Sequence, residues 1–119
     1  MLIKFIKPDF EFESEKGLLV QLVHAGWNQV NVLKSPKGSK RGGHFHKENE
    51  EAFYIIDGSV KLILDSDEEH EETNLKRGDM FMISPYLLHN FEFYEDTTMV
   101  SMYSKGVEHE DGTKDIYAV

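Results

Sequence analysis

The chain has 119 residues, 39% of them apolar and 12% aromatic, which is enough for one packed domain spanning residues 1–119 and too little for two. Thirteen basic against 22 acidic residues give a net charge of -9, which argues against general nucleic-acid binding, a task that needs surplus Lys and Arg. Cysteine is absent, so disulfides and thiolate metal sites are excluded. Residues 1–8 are too short and interrupted for a signal peptide, and no apolar run reaches the length of a membrane span, so a soluble cytoplasmic protein is expected.

In chain order, residues 18–23 read as a strand. Residues 28–33 alternate polar and apolar, as a half-buried strand does. Residues 34–43 are loop, broken by Ser35-Pro36, Gly38 and Gly42-Gly43. His44-Phe45-His46 follows, then a polar turn and a strand over residues 51–56. Asp57-Gly58 signals a hairpin into the alternating Val60, Leu62 and Leu64. The acidic run 65–72, which contains His70, reads as a solvated hairpin tip and lacks the Gly-centred oxygen spacing of a calcium loop. Arg77-Gly78-Asp79 makes a turn, residues 80–83 a strand, and Ser84-Pro85 a break. Residues 88–94 and 97–103 read as a last strand pair around Glu95-Asp96, before a polar, less regular tail. No segment sustains a helical period, and many short strands with close turns imply an all-β sandwich or barrel.

Residues 51–56 are apolar on both faces: with Glu51, Phe53 and Ile55 inward, Ala52, Tyr54 and Ile56 face out. Such a face needs a cover, and a homodimer is expected, the alternative cover being the chain's own N-terminal strand.

The chemistry gathers around His44. In an extended strand His44 and His46 share a face. With Glu51 and His89 they would complete a ligand set for a divalent transition metal, or a metal-free acid/base cluster. Lys34, Lys37, Lys40, Arg41 and Lys47 form a basic stretch beside the histidine pair. In an acidic protein this points to a small anionic ligand, with Lys40, Arg41 and Lys47 as candidate contacts.

The spacing Gly38, His44-x-His46, Glu51, Gly58 resembles the first motif of the cupin superfamily, and Gly78-Asp79 through His89 resembles the second. The pattern covers roughly residues 38–93. The resemblance implies a single-domain jelly-roll β-barrel, often dimeric, with His44, His46, Glu51 and His89 as metal ligands. Glu50 is the alternative to Glu51. Two departures stand out: Tyr86 occupies the Gly position of the second motif, and Phe93 replaces its usual Asn. A nitrogen and oxygen shell without sulfur suits zinc, iron, manganese, nickel or cobalt equally.

A narrower resemblance, carried by Gly17-Leu18, residues 27–32 and Arg41-Gly42-Gly43-His44, is to sugar-nucleotide-modifying cupins, the 4-keto-sugar epimerases and 3,4-ketoisomerases. It implies His44 as the base and Arg41 as a diphosphate contact. Tyr54, Tyr103 and Tyr94 are candidates for returning the proton, Tyr54 and Tyr103 foremost. Alternative expectations are a metal-dependent oxygenase, a small-acid isomerase, or a non-catalytic module binding a sugar or an anion.

Overall fold

The computed structural model describes residues 1–119. It contains no helix, and hence none long and apolar enough to cross a membrane. Ten of its strands form two five-stranded antiparallel sheets. The first has the order β1(Lys4–Ile6), β9(Met80–Ile83), β6(Glu51–Asp57), β11(Thr97–Tyr103), β4(Gln29–Ser35). The second has the order β12(Tyr117–Ala118), β5(Lys40–Phe45), β10(Leu88–Phe93), β7(Ser59–Asp65), β8(His70–Lys76). A separate hairpin pairs β2(Phe10–Ser14) with β3(Gly17–Gln21).

Inward side chains of the two sheets meet in an aromatic core. Phe53 stacks on Phe81 with ring centroids 5.1 Å apart and meets Phe91 edge-on at 5.1 Å. Val60, Leu62 and Leu64 of β7 are buried at alternate positions, as their period of two requires.

Four sequence expectations are corrected. Of residues 34–43, read as loop, Lys34 and Ser35 close β4 and residues 40–43 open β5, paired with β10. Asp57-Gly58 does not close a hairpin: β6 lies in one sheet and β7 in the other, so the chain crosses between sheets there. Gly58 has φ of 106°, and a Cβ on it would sit 2.4 Å from Thr97 Oγ1, so this crossing requires the missing side chain. Glu95-Asp96 is a second crossing, because β10 pairs with β5 and β7 while β11 pairs with β4 and β6. The acidic run is a hairpin tip only as far as Glu69; His70 to Glu72 continue as strand β8 against β7. The β2–β3 hairpin adds a strand, Phe10–Ser14, ahead of the first one read from the sequence.

The outer face of β6 is covered in part by its own chain. Ala52 is fully buried with Met80 and Met102, and Ile6, Leu22, Val23, Trp27 and half-buried Tyr54 pack against them. Ile56, at the far end of the strand, remains exposed. On β4 the alternation is inverted: Val30 and Val32 face solvent, 61% and 62% exposed, while Gln29, Asn31 and Leu33 are the more buried set.

A histidine-lined cavity in the barrel interior

Between the sheets lies a cavity of about 160 Å³, lined from one sheet by Arg41, Gly42, His44, His89 and Phe91 and from the other by Asn31, Glu51, Phe53, Ser101 and Tyr103. Strand pairing creates this convergence. β10 runs antiparallel to β5 with His89 opposite His44, and a register shift between His89 and Asn90 accommodates Gly42 and Gly43. Their imidazole centroids are 4.6 Å apart, and His46, just past the end of β5, lies 5.3 Å from His44. One nitrogen from each of the three rings lies within 4.8 Å of the others.

Hydrogen bonds set the rings of His46 and His89. His46 Nδ1–H donates to the Asp115 carbonyl at 2.6 Å, and its Nε2 lies 3.1 Å from Glu51 Oε1. Glu51 Oε2 accepts the Ser101 hydroxyl at 2.6 Å. His89 Nδ1–H donates to the Leu87 carbonyl at 3.1 Å, leaving its Nε2 3.6 Å from Glu51 Oε1. His46, Glu51 and His89 are buried, whereas His44 is half-buried and faces the cavity.

The same surroundings separate the protonation states. Burial pushes His89 down to about 4, against the pull of the Glu51 charge, so it is neutral at pH 7. Burial, then the charge on His46, also lowers His44. For His46 burial acts downward too, but the hydrogen bonds to Glu51 and the Asp115 carbonyl outweigh it and its pKa is raised. Burial, reinforced by the Glu51 charge, drives Tyr103 far above the ordinary phenol range.

The donor set fits a divalent transition metal. Three imidazole nitrogens lie within 4.8 Å of one another, and Glu51 Oε1 stands 3.1 Å from His46 Nε2 and 3.6 Å from His89 Nε2, with no sulfur among them. The neutral His89 Nε2 lone pair faces a carboxylate oxygen, an opposition that a cation between them would relieve.

Of the residues singled out from the sequence, the structure brings together Arg41, His44, His46, Glu51, His89 and Tyr103. Tyr54 does not join them. Its inward neighbours on β6 are Phe53 and Ile55, so Tyr54 points to the outer face, where it packs against the Ala52, Met80 and Met102 cluster. Tyr94 is exposed and donates its hydroxyl to Asn74 Oδ1. Lys40 lies outside the cavity, in an adjoining cleft of about 340 Å³ with Lys34, Ser35 and Ser39. Lys47 is turned away, its ammonium 4.2 Å from the centre of the Tyr117 ring. Glu50 is not among the residues lining the cavity.

The sequence reading missed Asn31, Ser101 and Asp115. Ser101 was discoverable, being two residues from Tyr103 on the same strand face. Asp115 gave no local signal. Tyr86 explains one departure from the motif: its φ is +69°, so the turn still demands the left-handed conformation that glycine adopts freely. The Tyr86 N–H, bonded to the His46 carbonyl at 2.7 Å, helps hold it there.

Two facing antiparallel sheets around an interior His/Glu cluster define a jelly-roll barrel of the cupin kind. The sequence profile of the cupin domain matches residues 31–104, and the chain belongs to that family. Its fold is similar to that of a 3,4-ketoisomerase from Helicobacter canadensis, at 19% identity and a TM-score of 0.83, covering 100% of this chain and 92% of that one. It is similar also to a sugar 3,4-ketoisomerase from Thermoanaerobacterium thermosaccharolyticum in complex with TDP, at 18% identity and a TM-score of 0.82, covering 99% and 88%. In sequence, 69 residues are 28% identical to 3-hydroxyanthranilate 3,4-dioxygenase of Xenopus laevis. The match takes in 58% of this chain and only 24% of that protein, about a quarter of its length.

Proposed function

We propose that the protein is an isomerase of 4-keto-sugar nucleotides, moving a carbonyl between neighbouring ring carbons. The observation that carries this reading is the position of Arg41. It lines both the histidine cavity and the basic cleft of Lys34 and Lys40, and its Nε–H donates to Ser35 Oγ at 3.1 Å. A cavity of about 160 Å³ is too small for a whole sugar nucleotide and suits the sugar ring alone, leaving the diphosphate to the cationic cleft.

His44, neutral at pH 7 and open to the cavity, takes the proton from C3 of the 4-keto sugar. The electron pair moves toward the C4 oxygen, giving an enediolate, and the same imidazole returns the proton to C4. The hydroxyl proton passes from O3 to O4, so that all atoms are retained. Tyr103 stays protonated and can hold a sugar oxygen, but it is a poor second base. One base serving two carbons favours isomerisation over epimerisation, which needs a second group on the opposite ring face. A divalent metal held by His44, His46, His89 and Glu51 would polarise a substrate oxygen when bound. It would also occupy the lone pair that the base role requires.

A second reading, a metal-dependent oxygenase, is favoured by the approach of three imidazole nitrogens to within 4.8 Å. Incubation with a TDP-linked 4-keto sugar, with and without chelator, separates the two. Isomerase activity that survives chelation and disappears in His44→Ala supports the first. Dioxygen uptake that requires Fe(II), with no isomerised sugar, replaces it by the second.

We also propose that a second copy of the chain covers the outer apolar face. The β2–β3 hairpin is exposed on both sides, with Phe12 62% and Leu18 58% exposed, although a lone hairpin is marginal in water. The radius of gyration, 14.7 Å, exceeds the roughly 13.5 Å of a compact chain of this length. The hairpin carries Glu11, Glu13 and Glu15, and the exposed face of β4 runs from Val30 and Val32 to Lys34, so arm and face are complementary in both polarity and charge. Sedimentation is expected to show a dimer that Val32→Glu converts to monomer; a monomeric wild type would refute this.

A further inference from the structure

The polar tail ends in a buried knot. Asp115 is fully buried. Its Oδ1 accepts the backbone N–H of Lys47 at 2.8 Å. Its Oδ2 accepts the backbone N–H groups of Glu48 and Asn49 at 3.0 and 3.1 Å and Asn49 Nδ2–H at 2.8 Å. Asn49 passes the connection on, its Oδ1 accepting the N–H groups of Lys105 and Gly106. One carboxylate thus satisfies three backbone donors of the turn that follows His46, and the Asn49 N–H among them is buried and would otherwise lack a partner. The Asp115 carbonyl accepts His46 Nδ1–H, and two residues later β12 pairs with β5, Tyr117 opposite Phe45 and Ala118 opposite His44.

We propose that Asp115 is the positioning residue of His46, and that residues 115–118 form a strap whose docking fixes which nitrogen of that imidazole faces Glu51. A carbonyl accepts only from N–H, so contact with it places a proton on Nδ1 and directs Nε2 toward Glu51. The carboxylate does not touch the ring; it acts by holding its own backbone against the 47–49 turn. Partners of this kind orient metal-binding histidines, and their loss typically lowers metal affinity about 10–100-fold. The same constraint operates whether a proton or a cation faces Nε2. It rests on the site geometry and not on the identity of the substrate.

Nitrogen-15 NMR of the histidine side chains in the full chain, without metal, tests it directly. The wild type should give a His46 Nδ1–H signal protected from exchange, and Asp115→Ala should lose that protection. Asp115→Asn, which keeps the size and one acceptor oxygen, should lose it in part and serves where the alanine variant does not fold. Leu75→Ala, a core truncation on β8 away from the tail, lowers stability without touching the strap and should leave the signal intact. Cobalt(II) titration followed by absorbance should show about a 10–100-fold weaker affinity in the Asp115 variants and none of this in Leu75→Ala. An unchanged His46 signal in a folded Asp115 variant, or equal loss in Leu75→Ala, overturns the proposal. A wild type that takes up no cobalt removes the metal reading and leaves the NMR comparison to decide. Failure to turn over keto-sugars counts only against the proposed function.

Discussion

Gly42→Ala should damage this protein far more than Gly43→Ala, one residue along the same strand. Gly42 has φ of 118°, and a Cβ there would lie 2.3 Å from the His89 carbonyl oxygen and 2.8 Å from Asn90 Cα. Both obstacles are backbone of β10, so no side-chain rotation relieves the overlap. Left-handed strain for an L-residue costs about 1–2 kcal/mol, and overpacking typically adds about 1–3 kcal/mol. Gly43, at φ of 75°, carries the same kind of strain, but its added Cβ would meet only Asn90 Oδ1, at an ordinary 3.7 Å. Expected losses are therefore about 2–5 kcal/mol for Gly42→Ala and about 1–2 kcal/mol for Gly43→Ala. Urea unfolding followed by Trp27 fluorescence measures both. Forcing β5 off β10 also separates His44 from His89, so residual activity should fall further than stability in the Gly42 variant alone. Equal stability losses, or a larger one at Gly43, would refute the reasoning that close approach of these strands builds the site.

Arg41→Ala should weaken TDP binding by calorimetry at least tenfold, while Lys47→Ala, whose ammonium sits over Tyr117, should leave it unchanged. Tyr103→Phe should reduce turnover without unfolding the barrel, and Tyr54→Phe, on the outer face, should not; equal effects would remove Tyr103 from the site. Metal-free protein should lose stability as pH falls from about 6.5 through 4. His89 binds its proton more weakly folded, at about 4, than unfolded, which is worth roughly 3–4 kcal/mol at most. The contribution of His46 has the opposite sign: its raised pKa stabilises the fold below about 6.5 and is lost as pH rises through the folded value. His89→Phe should flatten the acid limb of a urea-midpoint profile against pH.

The motif residues were legible because the chemistry of a site constrains residue type and spacing together. The rings of His44, His46 and His89 do come together, and Glu51 reaches His46 at 3.1 Å. The strand-to-strand connectivity was not legible. Asp57-Gly58 looks like a hairpin turn, yet its glycine serves a crossing between sheets, where the requirement comes from Thr97, 39 positions away. On β4 the polar and apolar faces exchange places, because Asn31 borders a cavity while Val30 and Val32 are left outside. Local rules fail most readily at such positions. Lys47 illustrates the same limit from the other side, since nearness to His46 in sequence says nothing about which face of the chain it leaves from. Asp115 could not be found at all, being one acidic residue among 22 and joined to His46 only by the folded tail.

The most direct test is proton NMR of TDP-4-keto-6-deoxyglucose incubated with the protein in deuterated water. Transfer of the carbonyl to C3, with the C3 proton or solvent deuterium delivered to C4, is expected for the wild type and absent for His44→Ala. A sugar that neither isomerises nor exchanges its C3 proton, in the presence of folded wild-type protein with and without added divalent metal, would contradict the role of His44 as the base and of its cavity as the sugar site.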